Sequence, residues 1–589
     1  MEIHIMKMLK HIFTVALLMG AVIAFAQQNE SVVVEGTYRP EIEKVKKMGL
    51  VPNEASQDFA VPDQKVEVKD INHKFPVELE TMSPMGYNGK DSDGKNDDVA
   101  RNFLLAAFGT RISPLFVYRH NSDLSKTIGL GIGVSHYSSW LKMKNYPNSS
   151  FMSNHFDIAL TTNLDSYRLS NKVYYNNDMN HYYGIPLDSI ADEYDIDELC
   201  PKQVYNTIGF ESKISSTTTS MGYFRHAFGI GYQYTFNKSG AREHNANFTA
   251  DLAYVNNFWG KKENPQTIGA KISLMYDNYG VKNAEPYSYV DYGTDPMITN
   301  RVLFGFKPYF EIKADFCKID LGVSLDVAHD TATKVALRPD INACLYLFNK
   351  KAEIYAVLDG GLKAHTFSEL AEQNPYITPM LPMRFANTKF GFGAGVRTSI
   401  KKKVDLHVGV RYRRIQDEAF FVRSVTPLMP VNDSTPVNPS YFNQFSLLYD
   451  TVNELNIMAD LRWRILDNLT LEGSFAYNYI GNGDKEWHPW YRPAVEATVK
   501  VGYSPIKQLD FGLSAMLGFG RYAKVWDGEL WQVEKLKPII DLNFSANYHI
   551  NDMVTVFLNL DNLTHTRYQL YYNYPVTGIQ AFAGLKVKF

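Results

Sequence analysis

The chain has 589 residues, with 60 Lys and Arg against 63 Asp and Glu and a formal net charge of −3. That balance supplies no basic field for nucleic acid, and three cysteines, Cys200, Cys317 and Cys344, make neither a disulfide scaffold nor a metal framework. Aromatics reach 14%, mostly 38 Tyr and 35 Phe. The mean hydropathy of −0.26 is that of a soluble protein, and equally that of a membrane barrel, half of whose strand residues face a polar lumen.

Residues 1–26 read as a signal peptide. Lys7 and Lys10 form a basic start, 12–24 is an apolar run too short for a comfortable bilayer span, and Ala24-Phe25-Ala26 is a small-x-small cleavage site. No Cys follows the site, so no lipoprotein anchor is expected. Residues 27–100 form a polar N-terminal segment, mostly irregular, interrupted by Pro40, Pro52, Pro62, Pro76 and Pro84. Within it, 40–48 predicts one short helix, with Pro40 at its start, Glu41 and Glu43 early, Lys46 and Lys47 late and Gly49 after it. The acidic stretch Asp91-Ser92-Asp93-Gly94-Lys95-Asn96-Asp97-Asp98 reads as a solvated linker, because its spacing misses the EF-hand pattern.

From Arg101 onward the pattern changes to period two. Ile319, Leu321, Val323, Leu325 and Val327 alternate with Asp320, Gly322, Ser324, Asp326 and Ala328. Leu509 to Phe519 and Pro538 to Tyr548 repeat the pattern. Such alternation places one face in an apolar medium and the other in water, and runs of about 10 residues suit a tilted membrane strand. Along the second half, short turns at 316–318, 349–351, 400–402, 466–467, 504–507 and 551–552 alternate with long connections near 365–386, 417–450, 481–491, 522–535 and 564–576. Outer-membrane barrels have short periplasmic turns and long outer loops. The reading is therefore an all-β, transmembrane antiparallel β-barrel over 101–589, of about 22 strands, in the cell outer membrane. On this reading Cys317 and Cys344 lie near neighbouring strand ends, compatible with a bridge or with two free thiols.

The last strand, TGIQAFAGLKVKF, puts Ile579, Ala581, Ala583, Leu585, Val587 and Phe589 on one face and Gln580, Gly584, Lys586 and Lys588 on the other. The terminal Phe589 suits the lipid interface and resembles the C-terminal signal read by the barrel-assembly machinery. The stretch 559–589, with Asn562-Leu563, Tyr568, Tyr574-Pro575 and Gly578, resembles the closing hairpin of TonB-dependent receptors. The barrel's start, FGTRISPLFVYRH followed by VSHYSS, is similar to a plugless, TonB-dependent-receptor-like group. Such receptors carry a folded plug inside the barrel. Here 74 residues separate Gln27 from Ala100, without the strands and glycines of a plug. Glu30, Ser31, Val32, Val33 and Val34, within ESVVVEGT, resemble a TonB box, which would add an extended strand to TonB's sheet edge.

Nothing in the sequence predicts an enzyme, a cofactor or a metal site. His329-Asp330 is the nearest pair, and adjacent strand residues point to opposite faces. Trp487, Trp490, Trp526 and Trp531 fall in the last long outer connections and are candidate aromatics for an extracellular ligand or partner. The acidic stretch 188–198 reads as another outer loop, solvated or open to a cation or basic partner. Two functions follow. One is transport across the outer membrane, with the lumen closed by 27–100, by inward-folded loops at 365–386 and 417–450, or by a partner. The alternative is a plugless accessory subunit of an outer-membrane assembly or export complex. Expected partners are outer-membrane lipid, the barrel-assembly machinery during biogenesis, and TonB or an outer-membrane lipoprotein.

Overall fold

The computed structural model describes residues 101–589 apart from 141, 191, 193–194, 218–221, 259–264, 282–297, 402, 425–441, 485 and 528. The signal peptide, the segment 27–100 with its short helix and acidic linker, and the TonB-box-like residues Glu30 to Val34 lie outside the described residues.

The described chain folds as one 22-stranded antiparallel sheet in which each strand pairs with the next and the last returns to the first. The closing seam joins the first strand, Asn102–Gly109, to the last, Gln580–Lys588. There the Asn102 N–H donates to the Phe589 carbonyl at 2.8 Å and the Phe589 N–H to the Asn102 carbonyl at 3.0 Å. Closure leaves no free ladder edge in the wall. Barrel strands run from 8 residues to the 22 of Phe445–Leu466. About 9–11 tilted residues cross a bilayer, so the longest strands stand well clear of it. No described helix is long and apolar enough to cross.

Sequence alternation is realised as two faces. Outward positions such as Ile230, Leu274, Leu321, Val323, Val408, Phe475 and Leu513 are exposed apolar side chains, far more than a soluble surface presents in one contiguous belt. Inward positions carry ion pairs, among them Arg119–Asp157 at 2.6 Å, Arg397–Glu353 at 3.0 Å, Arg411–Asp359 at 2.5 Å and Arg413–Glu454 at 2.7 Å. One part of the lumenal wall departs from this. Phe582, on the inner face of the last strand, forms a buried apolar cluster with Phe103, Leu105, Leu115, Val117, Tyr137 and Phe557 across the seam. Cys317 pairs with Leu345 and Lys318 with Cys344. This one-residue offset puts the two thiols on opposite faces, and both are free.

All the short turns read from the sequence lie at the end holding Phe589, which is the periplasmic end by loop length. At the other end the alternation is not strict. The connections 110–112, 238–240 and 330–332 are as short as periplasmic turns, and the last of these interrupts the pattern expected for the second half. The stretch 417–450 is also less of a loop than expected, since strand Val404–Arg423 continues past 417 and its partner resumes at Phe445. A bulge between Ile415 and Glu418, with Asp417 at φ 55°, re-aims the outer part of that strand. Ile415, Ala419, Phe420 and Val422 consequently belong to the buried core of the mouth. The expected loop at 522–535 is a small hairpin, Tyr522–Trp526 with Trp531–Lys535.

Candidate functional site: the sealed outer mouth

The largest buried apolar cluster of the described chain lies at the outer end, built from loops and from the upper parts of strands. Its central piece is the connection 365–384. The segment opens on Thr366, whose hydroxyl accepts the Glu369 N–H at 3.1 Å and starts the short helix Phe367–Gln373. Phe367, Leu370 and Ala371 are the buried side of that helix. The two backbone N–H groups that begin it, of Phe367 and Ser368, donate to the carboxylate of Glu243, the second at 3.0 Å. Glu243 comes from strand Ala241–Asn256 and is 1% exposed. A buried carboxylate is well matched to free helix N–H groups and the positive end of the peptide dipoles. Beside it Arg301 and Asp277 form a fully buried ion pair.

After Asn374 the segment holds Pro375, Pro379 and Pro382. Proline lacks an N–H and cannot join a ladder interior, so the carbonyls of this stretch need partners from elsewhere. Tyrosines of distant strands and loops provide them. Tyr205 donates to the Pro375 carbonyl at 2.9 Å, Tyr182 to Ile377 at 2.9 Å, Tyr449 to Pro382 at 2.6 Å, and Tyr279 to Pro379. Tyr571 reaches the Gln373 carbonyl at 2.9 Å. One backbone bridge, Ile377 with Phe445, ties the segment to the wall, through Thr378 N–H to the Phe445 carbonyl at 2.8 Å and Phe445 N–H to the Tyr376 carbonyl at 3.0 Å.

The last outer connection lies over this segment. Tyr574 stacks on Tyr376 with ring centroids 3.8 Å apart and donates to the Asn443 carbonyl. Tyr183 donates to the Pro575 carbonyl at 3.0 Å. A Cβ at Gly184 would lie inside the Tyr574 ring, so only glycine lets backbone and ring approach this closely. Arg521 binds the Gln569 carbonyl at 2.7 Å, the Leu570 carbonyl, and the Tyr491 carbonyl at 3.3 Å. Burial lowers its guanidinium to about 10. Burial also pushes the Tyr376 phenol and the Cys200 thiol up to about 12 each, and the Tyr183 phenol well above its ordinary value. The buried loop groups thus hold their protons at neutral pH, and the tyrosines remain donors.

The candidate aromatics fall into two pairs. Trp487 and Trp490 have ring centroids 6.3 Å apart, and Trp490 is 3% exposed within the seal, where it bridges to Tyr522. Trp526 and Trp531 face each other across the hairpin at 5.4 Å, and Trp531 is 40% exposed. The described residues of the acidic stretch 188–198 lie in the outer connection between Tyr167–His181 and Lys202–Ser216, which also holds the short helix Ile196–Leu199 capped by Asp195. His329 contacts Thr333 Oγ1 at 3.0 Å while Asp330 accepts the Ala332 N–H at 3.0 Å, so the structure does not join this pair. Phe589 ends at the seam with its ring exposed. Sequence reading named Tyr574 only as part of the closing-hairpin resemblance and did not single out Tyr182, Tyr205, Tyr279, Tyr449 or Glu243. Their one signal is the coincidence of a Pro-rich outer connection with a high tyrosine content.

No family model matches this chain, and no curated protein matches it. Solved structures resemble it in fold. The ferric-catecholate import receptor Fiu of E. coli K12 matches with a TM-score of 0.60 at 11% identity, over 84% of this chain and 82% of that one. The pyoverdine outer-membrane receptor FpvA of Pseudomonas aeruginosa gives 0.61 at 10% identity, over 84% and 79%. The FrpB iron transporter of Neisseria meningitidis gives 0.62 at 8% identity, over 84% and 83%. The shared feature is the closed 22-stranded barrel. With its lipid-facing belt, this fold places the protein in the cell outer membrane.

Proposed function

We propose that the chain is an outer-membrane transport barrel of the TonB-dependent kind, closed on the outside by its own loops, with 365–384 as the movable part of the closure. One observation carries the proposal. The segment 365–384 is fastened mainly by side-chain hydrogen bonds and aromatic packing, and by one isolated bridge, so it can leave the mouth without unpairing any barrel strand. The polar, ion-paired wall within suits a hydrated path. The barrel likeness to iron and siderophore receptors supports the transport reading. In this proposal Glu30 to Val34 engage TonB, Phe589 engages the barrel-assembly machinery, and Trp526 with Trp531 meets an extracellular ligand or partner.

The test is single-channel recording on the full-length protein in planar bilayers. The native protein is expected to stay closed, and replacement of 365–384 by a short turn is expected to give a large steady conductance. A folded deletion variant that never conducts, recovered in a stable complex with other outer-membrane proteins, would replace this reading with that of an accessory subunit.

A further inference from the structure

Periplasmic turns meet water, yet in this barrel they carry exposed apolar tips. Leu124, Leu164, Phe316, Phe348, Ile400 and Leu466 are each at or beside such a turn. Two adjacent turns add positive charge to this rim. The turn after strand Thr333–Leu347 is Phe348-Asn349-Lys350-Lys351, and the turn after Phe385–Ile400 is Lys401-Lys402-Lys403. They are neighbours on the rim, because the strand that ends at the second turn pairs with the one that leaves the first, and its Ser399 N–H donates to the Lys351 carbonyl at 3.0 Å. Lys350, Lys351, Lys401 and Lys403 are exposed, and among the described residues none has an ion-pair partner. Glu353, next to the first turn, is held by Arg397 at 3.0 Å. Counting Asp405 against them, the two turns remain net positive.

The apolar neighbours fix the depth of these cations. Phe348 is 77% exposed, in a run of three left-handed residues, Phe348, Asn349 and Lys350, at φ 52°, 56° and 63°. Ile400 is 51% exposed, and Trp463, opposite Val404 on the outer face of the next strand, is 42% exposed. Tryptophan on a lipid face marks the interface between hydrocarbon and headgroups. A rim with these side chains in hydrocarbon puts its lysines at the level of the phosphates.

We propose that the turn 348–351, together with Lys401 and Lys403 of its neighbour, is a binding surface for anionic phospholipid of the periplasmic leaflet, with Lys350, Lys351, Lys401 and Lys403 on the phosphates and Phe348, Ile400 and Trp463 among the acyl chains. The proposal rests on the barrel's orientation and not on the transport reading. A soluble acidic partner would satisfy the lysines alone and leave the apolar tips in water.

The experiment uses the full-length protein in detergent, given equal amounts of phosphatidylglycerol and phosphatidylethanolamine, with bound lipids counted by native mass spectrometry. The native protein is expected to prefer the anionic lipid. Each surface lysine contributes roughly fivefold, so the variant Lys350→Gln, Lys351→Gln, Lys401→Gln, Lys403→Gln should lose at least about tenfold of that preference. Folding is checked by unheated gel mobility. If the fourfold variant misfolds, each turn is changed separately, and each must lower the preference. Equal retention of both lipids by the native protein overturns the proposal, as does a preference that survives in the folded variants. Co-sedimentation with purified peptidoglycan that the variants lose also overturns it, by assigning the turns to the cell wall. Glycerol phosphate at high concentration should compete poorly; full displacement would show that the acyl chains contribute nothing and refute the lipid assignment.

Discussion

Removing three hydroxyls from the mouth should open it. Tyr205, Tyr279 and Tyr449 stand on well-separated strands and donate to the carbonyls of Pro375, Pro379 and Pro382. In the triple variant Tyr205→Phe, Tyr279→Phe, Tyr449→Phe every ring stays, so packing is preserved and the prolyl carbonyls lose their donors. Leu381 also loses an acceptor, since its N–H lies 3.3 Å from the Tyr279 hydroxyl. A buried hydrogen bond is worth about 1 kcal/mol net, and an orphaned buried group costs about 1–3 kcal/mol. The three hydroxyls donate to three different carbonyls, so the losses should nearly add. The total is at least about 3 kcal/mol, a shift of roughly 10²-fold from closed toward open. Single-channel recording of the reconstituted full-length protein reads this as open probability. If the triple variant stays as closed as the native protein while removal of 365–384 conducts steadily, the tyrosines are not what holds the gate.

Other consequences are separately measurable. Trp490→Ala should destabilise the seal by about 3–5 kcal/mol, because it empties a buried site, whereas Trp531→Ala should fall within about 1 kcal/mol; thermal melting with intrinsic fluorescence distinguishes them. Glu243→Ala removes the acceptor from the helix start and should cost about 1–2 kcal/mol, seen as faster proteolysis within 365–384. Cys200 is buried beside Ile185 and Leu199, so maleimide should label it slowly in the native protein and about tenfold faster or more once the seal is loosened. The alkaline limb has a definite sign. Cys200 and Tyr376 sit near 12, raised from 9.0 and 10.0, so folding favours their protonated forms. Their contribution is complete below about pH 9 and declines as pH rises toward 12. The tyrosinate absorbance that distinguishes the native protein from Tyr376→Phe should appear together with loss of the seal, and its appearance with the mouth still closed would contradict this.

The barrel wall was legible because lipid and lumen impose opposite solvents on alternate residues. Ile319 to Ala328, Leu509 to Phe519 and Pro538 to Tyr548 announce their strands, and the wall closes at the predicted 22. The outer rim was less legible. Residues 330–332 make a tight turn where only periplasmic turns were expected to be tight, and the bulge at Asp417 extends a strand into what looked like loop. The seal was the least legible part. Its bonds join residues 195, 170, 100, 67 and 198 positions apart, and no local pattern states which tyrosine meets which carbonyl. Phe582 was similarly hidden, because its inner-face cluster is assembled only when the two ends of the barrel meet.

That meeting has a temporal side. The seam hydrogen bonds Asn102 to Phe589, 487 positions along the chain, so the first described strand gains its second neighbour only when the last one is in place. Until that pairing forms, the Asn102–Gly109 strand has one open edge. Such an edge is a template for mispairing, and so long a loop closes slowly. A chain truncated even by its final strand should remain a substrate for chaperones and proteases rather than settle as a smaller barrel, because that strand pairs on both sides and its loss opens two edges at once.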